Sequence, residues 1–172
     1  MPIRTLTRRR GNSPRLRGFD YATRQWYFVT INAKGHQPFF GTLTSDGVQL
    51  SEIGLIIAAE WRRTAELRHD VSLDAFVVMP DHFHALVGLN DDDLRHRTTS
   101  LTAMMNGFKA AVTSRVRRLP FPPAYEVWHR SFHDSIIRGQ RHFERVRRYI
   151  EANPEVAWHA QRLPESRARA AA

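Results

Sequence analysis

Two rhythms of apolar positions alternate along the chain. Residues 26–32 crowd aromatic and β-branched side chains together, the composition of a strand. Ser45, Asp46 and Gly47 then form a hairpin turn that leads through Val48 to Leu50. Beyond Ser51, a suitable N-cap, Ile53, Ile57, Trp61 and Thr64 repeat at helical spacing while Arg62, Arg63 and Glu66 take the other face. Residues 73–79 are a dense apolar run of strand length. Pro80 and Asp81 interrupt it, and residues 84–89 resume as a second strand that pairs back antiparallel. After an acidic loop at Asp91, Asp92 and Asp93, the positions Leu101, Met104, Met105, Phe108, Val112 and Arg115 trace one stripe of a long helix, read as core. Pro120, Pro122 and Pro123 end that helix, and residues 126–129 predict a short strand. Residues 141–152 predict a last helix, stopped by Asn153 and Pro154. Strands and helices intermixed through hairpins predict an antiparallel α+β fold.

Composition narrows the picture. A chain of 172 residues with 42% hydrophobic positions holds one core rather than two. It divides into a flexible basic arm at 1–18, a single domain at 19–159 and a basic tail at 160–172. Lys and Arg together number 26 against 17 acidic residues, a net charge of +9. Lys34 and Lys109 are the only lysines, so the excess is arginine. The planar guanidinium grips phosphate with two prongs, which makes a polyanion the expected partner. The absence of cysteine excludes disulfides, thiolate metal sites and cysteine nucleophiles. No apolar run approaches the roughly 20 residues of a membrane helix, and the expected location is cytoplasmic. Trp26 and Trp61 are expected in the core, with Trp128 and Trp158 as candidates to stack on a base.

Chemistry concentrates in two places. His82 and His84 flank Phe83, and in extended backbone residues two apart share a face, so both imidazoles can reach one metal ion. Nine histidines make an accidental pattern of this kind common, so the pair needs a second element. The last helix supplies one. Phe143, Val146 and Ile150 form its apolar stripe, Tyr149 and Asn153 lie one turn apart along the stripe's edge, and His142 stands two turns earlier. A phenol beside a divalent cation can attack phosphorus as a covalent nucleophile, and an amide oxygen can join the same cation.

The segments YFVTINAKGHQPFFGTL, MPDHFHALV, SLTAMMNGFKAAVTSRV and WHRSFHDSIIRGQRHFERVRRYIEANP resemble, in order and spacing, the REP-associated tyrosine transposases of the single-tyrosine HUH superfamily. The resemblance spans residues 24 to 158. It implies a ferredoxin-like antiparallel β-sheet flanked by α-helices, with the histidine pair on a central strand. It further implies that His82, His84 and Asn153 hold a divalent metal ion, Mg²⁺ or Mn²⁺, and that Tyr149 is the catalytic nucleophile. The implied reaction is cleavage and rejoining of single-stranded DNA at palindromic hairpins through a 5′-phosphotyrosine. The alternative within the same fold is a catalytically silent, hairpin-binding regulator. REP-associated members are expected to act as monomers, whereas relatives outside them are dimers. Asp81 stands where the family commonly has asparagine, and His133 where relatives often carry another aromatic residue. Arg8, Arg9, Arg10, Lys109, Arg145 and Arg148 are the candidate DNA contacts.

Overall fold

The computed structural model describes residues 25–90, 100–120 and 126–170, with side chains to residue 161. In the first strand, β1 (Gln25–Asn32), Tyr27, Val29 and Ile31 are fully buried while Trp26, Phe28 and Thr30 between them are only half-buried. One strand therefore serves two unlike surfaces. Its hydrogen-bonded neighbours are β5 (His82–Leu89) on one side and β6 (His133–Ile136) on the other, and β4 (Val71–Val78) pairs with the outer edge of β5. All three pairings are antiparallel, and the strand order is β4-β5-β1-β6. With α1 (Glu52–Leu67) leading to β4 and α2 (Leu101–Val116) leading to β6, this is the expected ferredoxin-like α+β arrangement. The strands β2 (Gly41–Thr44) and β3 (Gly47–Leu50) form a separate hairpin inserted before α1. Ser51 caps α1 as expected, its hydroxyl accepting from the Gly54 N–H at 3.1 Å.

Helices α1 and α2 close one face of the sheet. Trp61 of α1 is fully buried and meets Phe83 and Phe108 edge-on at 5.0 and 5.1 Å, while Met104, Met105 and Val112 fill the space beside them. Two neighbouring residues of β4, Asp74 and Ala75, sit in a register shift, so that Leu73 and Phe76 both turn to this core. The stripe of α2 runs through Val116 rather than Arg115. Arg115 is exposed, and its guanidinium meets the buried carboxylate of Glu60 at 2.6 Å, tying α2 to α1.

The third helix, α3 (Gln140–Ala170), crosses the opposite face, packing on β4 and β5 through Ile150, Phe143 and Val146. Here Gly88 lets the Trp26 ring lie flat on β5, since a Cβ at that position would approach the ring to 3.0 Å. Trp26 in turn meets Phe143 edge-on at 4.9 Å.

Several sequence expectations are corrected. The last helix does not stop at Asn153 and Pro154 but continues to Ala170. Proline costs one ladder hydrogen bond there, and the helix-favouring residues on both sides, Glu151 and Ala152 before it and Glu155 and Ala157 after, carry the helix through. Residues 126–129 form no strand. Trp128 makes a single bridge to Ala33, because the chain beyond Ala33 coils into a 3₁₀ turn (Lys34–His36) and the ladder cannot extend. Trp128 is also no stacking platform, being 6% exposed and packed on Phe40 and Phe108. Conversely, β6 carries no alternating apolar signal and was not expected. The arm at 1–18 and the loop at Asp91, Asp92 and Asp93 lie outside the described residues.

Candidate active site

Strand β5 alternates like β1. Phe83, Ala85 and Val87 enter the main core, so His82, His84 and Leu86 face α3. The two imidazole rings stand 4.6 Å apart, side by side as the spacing predicts. Each is held through Nδ1. His82 Nδ1 lies 2.6 Å from Asp81 Oδ1, and His84 Nδ1 lies 2.8 Å from Thr30 Oγ1 across the β1–β5 ladder. A carboxylate only accepts, so His82 donates its Nδ1–H to Asp81, which leaves Nε2 as the atom turned to other partners. The Thr30 hydroxyl can accept from an Nδ1–H, so the same tautomer is open to His84. This arrangement, with Nδ1 tied to a partner and Nε2 left over, is how metal-binding histidines are oriented.

Burial drives the His84 pKa down to about 4, and the nearby His82 adds to the effect while Asp81 opposes it. His84 is therefore neutral at pH 7, the form that ligates a metal. Among the described residues, no three His, Asp or Glu side chains gather for a metal ion, so the two histidines need a donor of another kind. Taken together, the free Nε2 atoms and the neutral His84 fit a divalent ion.

Tyr149 reaches the histidines from α3. Its ring lies 5.5 Å from that of His84 and 5.9 Å from that of Phe28, perpendicular to the latter, yet the residue remains 51% exposed. Ile150, the next residue, is fully buried, so the helix is anchored at the point where it presents the phenol. Helix α3 runs along β1: Phe143 lies on Trp26, and Tyr149 two turns later lies on Phe28. Asn153, one turn after Tyr149 on the same helix, is half-buried.

The other candidates fall elsewhere. Lys109 donates to the carbonyls of His129 and Arg130 at 2.8 and 3.0 Å, and burial lowers its pKa. It holds the loop against α2, beside a cleft of about 640 Å³ that also takes in Lys34 and Arg117. Arg145 and Arg148 are exposed on α3, within the turn before Tyr149. Between them, Arg147 is committed to Asp74 and Glu151, at 3.3 and 3.2 Å. His142 is remote from the histidine pair, accepting at Nδ1 from the Arg138 N–H at the start of α3. Arg8, Arg9 and Arg10 lie outside the described residues.

Two residues had no assigned role in the sequence reading. Thr30 was only one polar residue in an apolar strand, and the ladder that pairs it with His84 is a long-range fact that no local spacing carries. Asp81 was noted as a departure from the family pattern, and its contact with His82 now gives it a role.

Comparisons with known proteins bear on the family and the fold. A family model described as "Transposase IS200 like" matches residues 57–153. An uncharacterized protein of Haemophilus influenzae is 28% identical over 167 residues, which cover 88% of this chain and 91% of that protein. Among solved structures, a REP-associated tyrosine transposase bound to a REP hairpin shares the fold. It has a TM-score of 0.59 and 17% identity, with 83% of this chain and 74% of that chain covered. A putative transposase from Deinococcus radiodurans aligns with a TM-score of 0.46 and 18% identity, over 80% of this chain and 95% of its own.

Proposed function

The chain belongs to the IS200-like transposase family, and we propose that it cleaves and rejoins single-stranded DNA at palindromic hairpins through a covalent bond to Tyr149. The observation that carries this reading is the exposed phenol of Tyr149 beside the neutral, oriented imidazole of His84, with α3 anchored by Ile150. The solved relative that shares the fold is bound to a REP hairpin, which supports a DNA hairpin as the partner.

Tyr149 attacks phosphorus and the 3′ oxygen leaves. The result is a 5′-phosphotyrosine that keeps the energy of the broken linkage, so a 3′-hydroxyl can reverse the step without ATP. His82, His84 and Asn153 would hold a divalent ion, Mg²⁺ or Mn²⁺, which supplies positive charge to the phosphate as negative charge grows on it. Asp81 and Thr30 fix the rings of His82 and His84 so that both Nε2 atoms are presented. The exposed Arg145 and Arg148 precede Tyr149 on α3 and attract the phosphate backbone, and Arg8, Arg9, Arg10 and Lys109 add to the positive charge that DNA meets. Tyr149 and His84 of one chain lie together, which supports a monomer as the working unit. The working unit is one domain, residues 19–159, and no helix among the described residues is long and apolar enough to cross a membrane.

The test is incubation of the full chain with end-labelled single-stranded oligonucleotides that contain palindromes from the neighbourhood of its gene, with Mg²⁺ or Mn²⁺. A covalent adduct located on Tyr149 by peptide mass spectrometry, and lost both with EDTA and in Tyr149→Phe, is the expected outcome. Tight binding without an adduct would favour a silent regulator. Cleavage that survives Tyr149→Phe would mean that water is the nucleophile.

A further inference from the structure

The cleft beside Lys109 is built as a fixed trough. Lys34 N–H donates to the Val127 carbonyl at 3.1 Å and His129 N–H to the Asn32 carbonyl at 2.8 Å, so residues 127–129 run alongside the end of β1. Trp128, between those two contacts, is buried on Phe40 and Phe108 and roots this wall in the main core. Lys109, Thr113, Val116 and Arg117, one stripe of α2, line the other wall. Lys109 joins the two by donating to the carbonyls of His129 and Arg130.

The charge along this trough is unbalanced. Its lining includes one acid, Glu126, and the ammonium of Lys34 holds that carboxylate at 2.5 Å. Lys109 is committed to its two carbonyls. Arg117 and Arg130 are exposed and, among the described residues, make no ion pair and no side-chain hydrogen bond. The trough continues along α2 into a second hollow of about 490 Å³, which shares Lys109, Thr113 and Arg117 and adds the exposed Ser114 and Arg118. Arg118 is likewise without an ion pair among the described residues. The C-terminus of α2 supplies about half a negative charge, too little to balance three guanidinium groups. Unpaired guanidinium groups along a concave surface match a row of phosphates, each of which they grip with two prongs.

The trough is tied to the histidine pair by the backbone. Asn32, which accepts from His129, pairs on its other side with His82. The backbones of His129 and His82 are therefore two strand spacings apart, about 10 Å. Helix α2 covers the sheet face opposite α3, so this surface meets DNA away from the scissile phosphate. We propose that the trough between α2 and residues 126–130 is a second DNA-binding surface, in which Arg117, Arg118 and Arg130 hold phosphates remote from the cleaved linkage. Lys109 acts there as the strut between the walls. This surface rests on the DNA reading given above and adds to it where the rest of the substrate lies.

The test is the salt dependence of binding to a fluorescent hairpin oligonucleotide with single-stranded flanks, taken from the palindromes near the gene. Wild type is compared with Arg117→Gln/Arg130→Gln and with Arg62→Gln/Arg63→Gln, which removes the same two charges from exposed positions on α1. Each lost phosphate contact flattens the plot of log affinity against log salt by about 0.9 on a duplex and about 0.7 on a single strand. The trough variant is expected to lose a slope of about 1.4 to 1.8, whereas the α1 variant keeps the wild-type slope. Arg117→Lys/Arg130→Lys, which keeps the charge, is expected to recover most of the loss, and the urea midpoints of all variants should match. A loss seen on the bare stem would put stem phosphates in the trough, and a loss seen only on an unpaired strand would put flank phosphates there. Equal slopes in wild type and trough variant, or equal losses in the trough and α1 variants, would overturn the surface. A Tyr149 adduct formed by the wild type on the same DNA would leave the covalent reading standing in that case. A wild type that binds no hairpin would remove both.

Discussion

The two faces of one sheet use the same strands for opposite ends. On the α1/α2 face, β1 and β5 present Tyr27, Val29, Ile31, Phe83, Ala85 and Val87, all fully buried. On the α3 face, the residues between them include Phe28, Thr30, His82 and His84, of which only His84 is buried, with Tyr149 of α3 lying against Phe28. Stability is concentrated on the first face and chemistry on the second, one residue apart along each strand. The arrangement lets a polar, half-open site sit on a rigid floor. The histidines cannot shift without moving Phe83, which Trp61 and Phe108 hold from behind.

Trp61→Ala tests the rigid face, with the largest expected effect. Trp61 is fully buried against Phe83 and Phe108, so truncation leaves a cavity and should cost about 3–5 kcal/mol in urea denaturation. Tyr149→Phe, on the half-exposed side, should leave the midpoint unchanged. If the two variants were equally destabilised, the division of labour between the faces would fail.

The same division explains what the sequence made legible. The core stripe of α1 and the pairing of β4 with β5 follow from local periodicity, and the structure has them where the apolar positions put them. The nearness of His82, His84 and Tyr149 was read from a family resemblance, since spacing alone shows a pair of histidines and a distant tyrosine. Thr30 and the position of His133 were not legible, because both depend on which strands neighbour β1. Strand β6 itself was missed because its edge position leaves His133 and Ser135 exposed, so His-Asp-Ser-Ile has no apolar alternation to detect. Pro154 misled in the other direction. A local rule for ending helices lost to the strong helix formers around it.

Acid should separate the faces next. The folded protein holds His84 near 4, against about 6.5 in an unfolded chain. Between those values the unfolded state binds a proton that the folded state does not, so stability is present above pH 6.5 and is lost as pH falls towards 4. The loss attributable to His84 is at most about 3 kcal/mol. Urea denaturation of the metal-free protein at pH 7 and at pH 4.5 should show a smaller acid loss in His84→Gln than in the wild type. The core face contributes nothing to this difference, since His84 is the only buried histidine among the described residues. Equal acid losses in the two proteins would mean that His84 is not held neutral by its surroundings.

The smallest effect is the most selective. Thr30 touches the site only through its hydroxyl, 2.8 Å from His84 Nδ1, and its backbone is fixed in two ladders. Valine matches threonine in shape, so Thr30→Val removes one hydrogen bond and keeps the strand. The His84 ring is then free to turn, and Nε2 is no longer held towards a metal. Loss of such an outer partner usually weakens metal binding by about 10–100-fold, measurable by calorimetric titration with Mn²⁺. Stability in urea should move by no more than about 1 kcal/mol. A metal affinity equal to wild type would show that the ring is positioned by packing against Phe28 and Tyr149 rather than by the hydroxyl, and the orienting role would pass from β1's polar residue to its aromatic one.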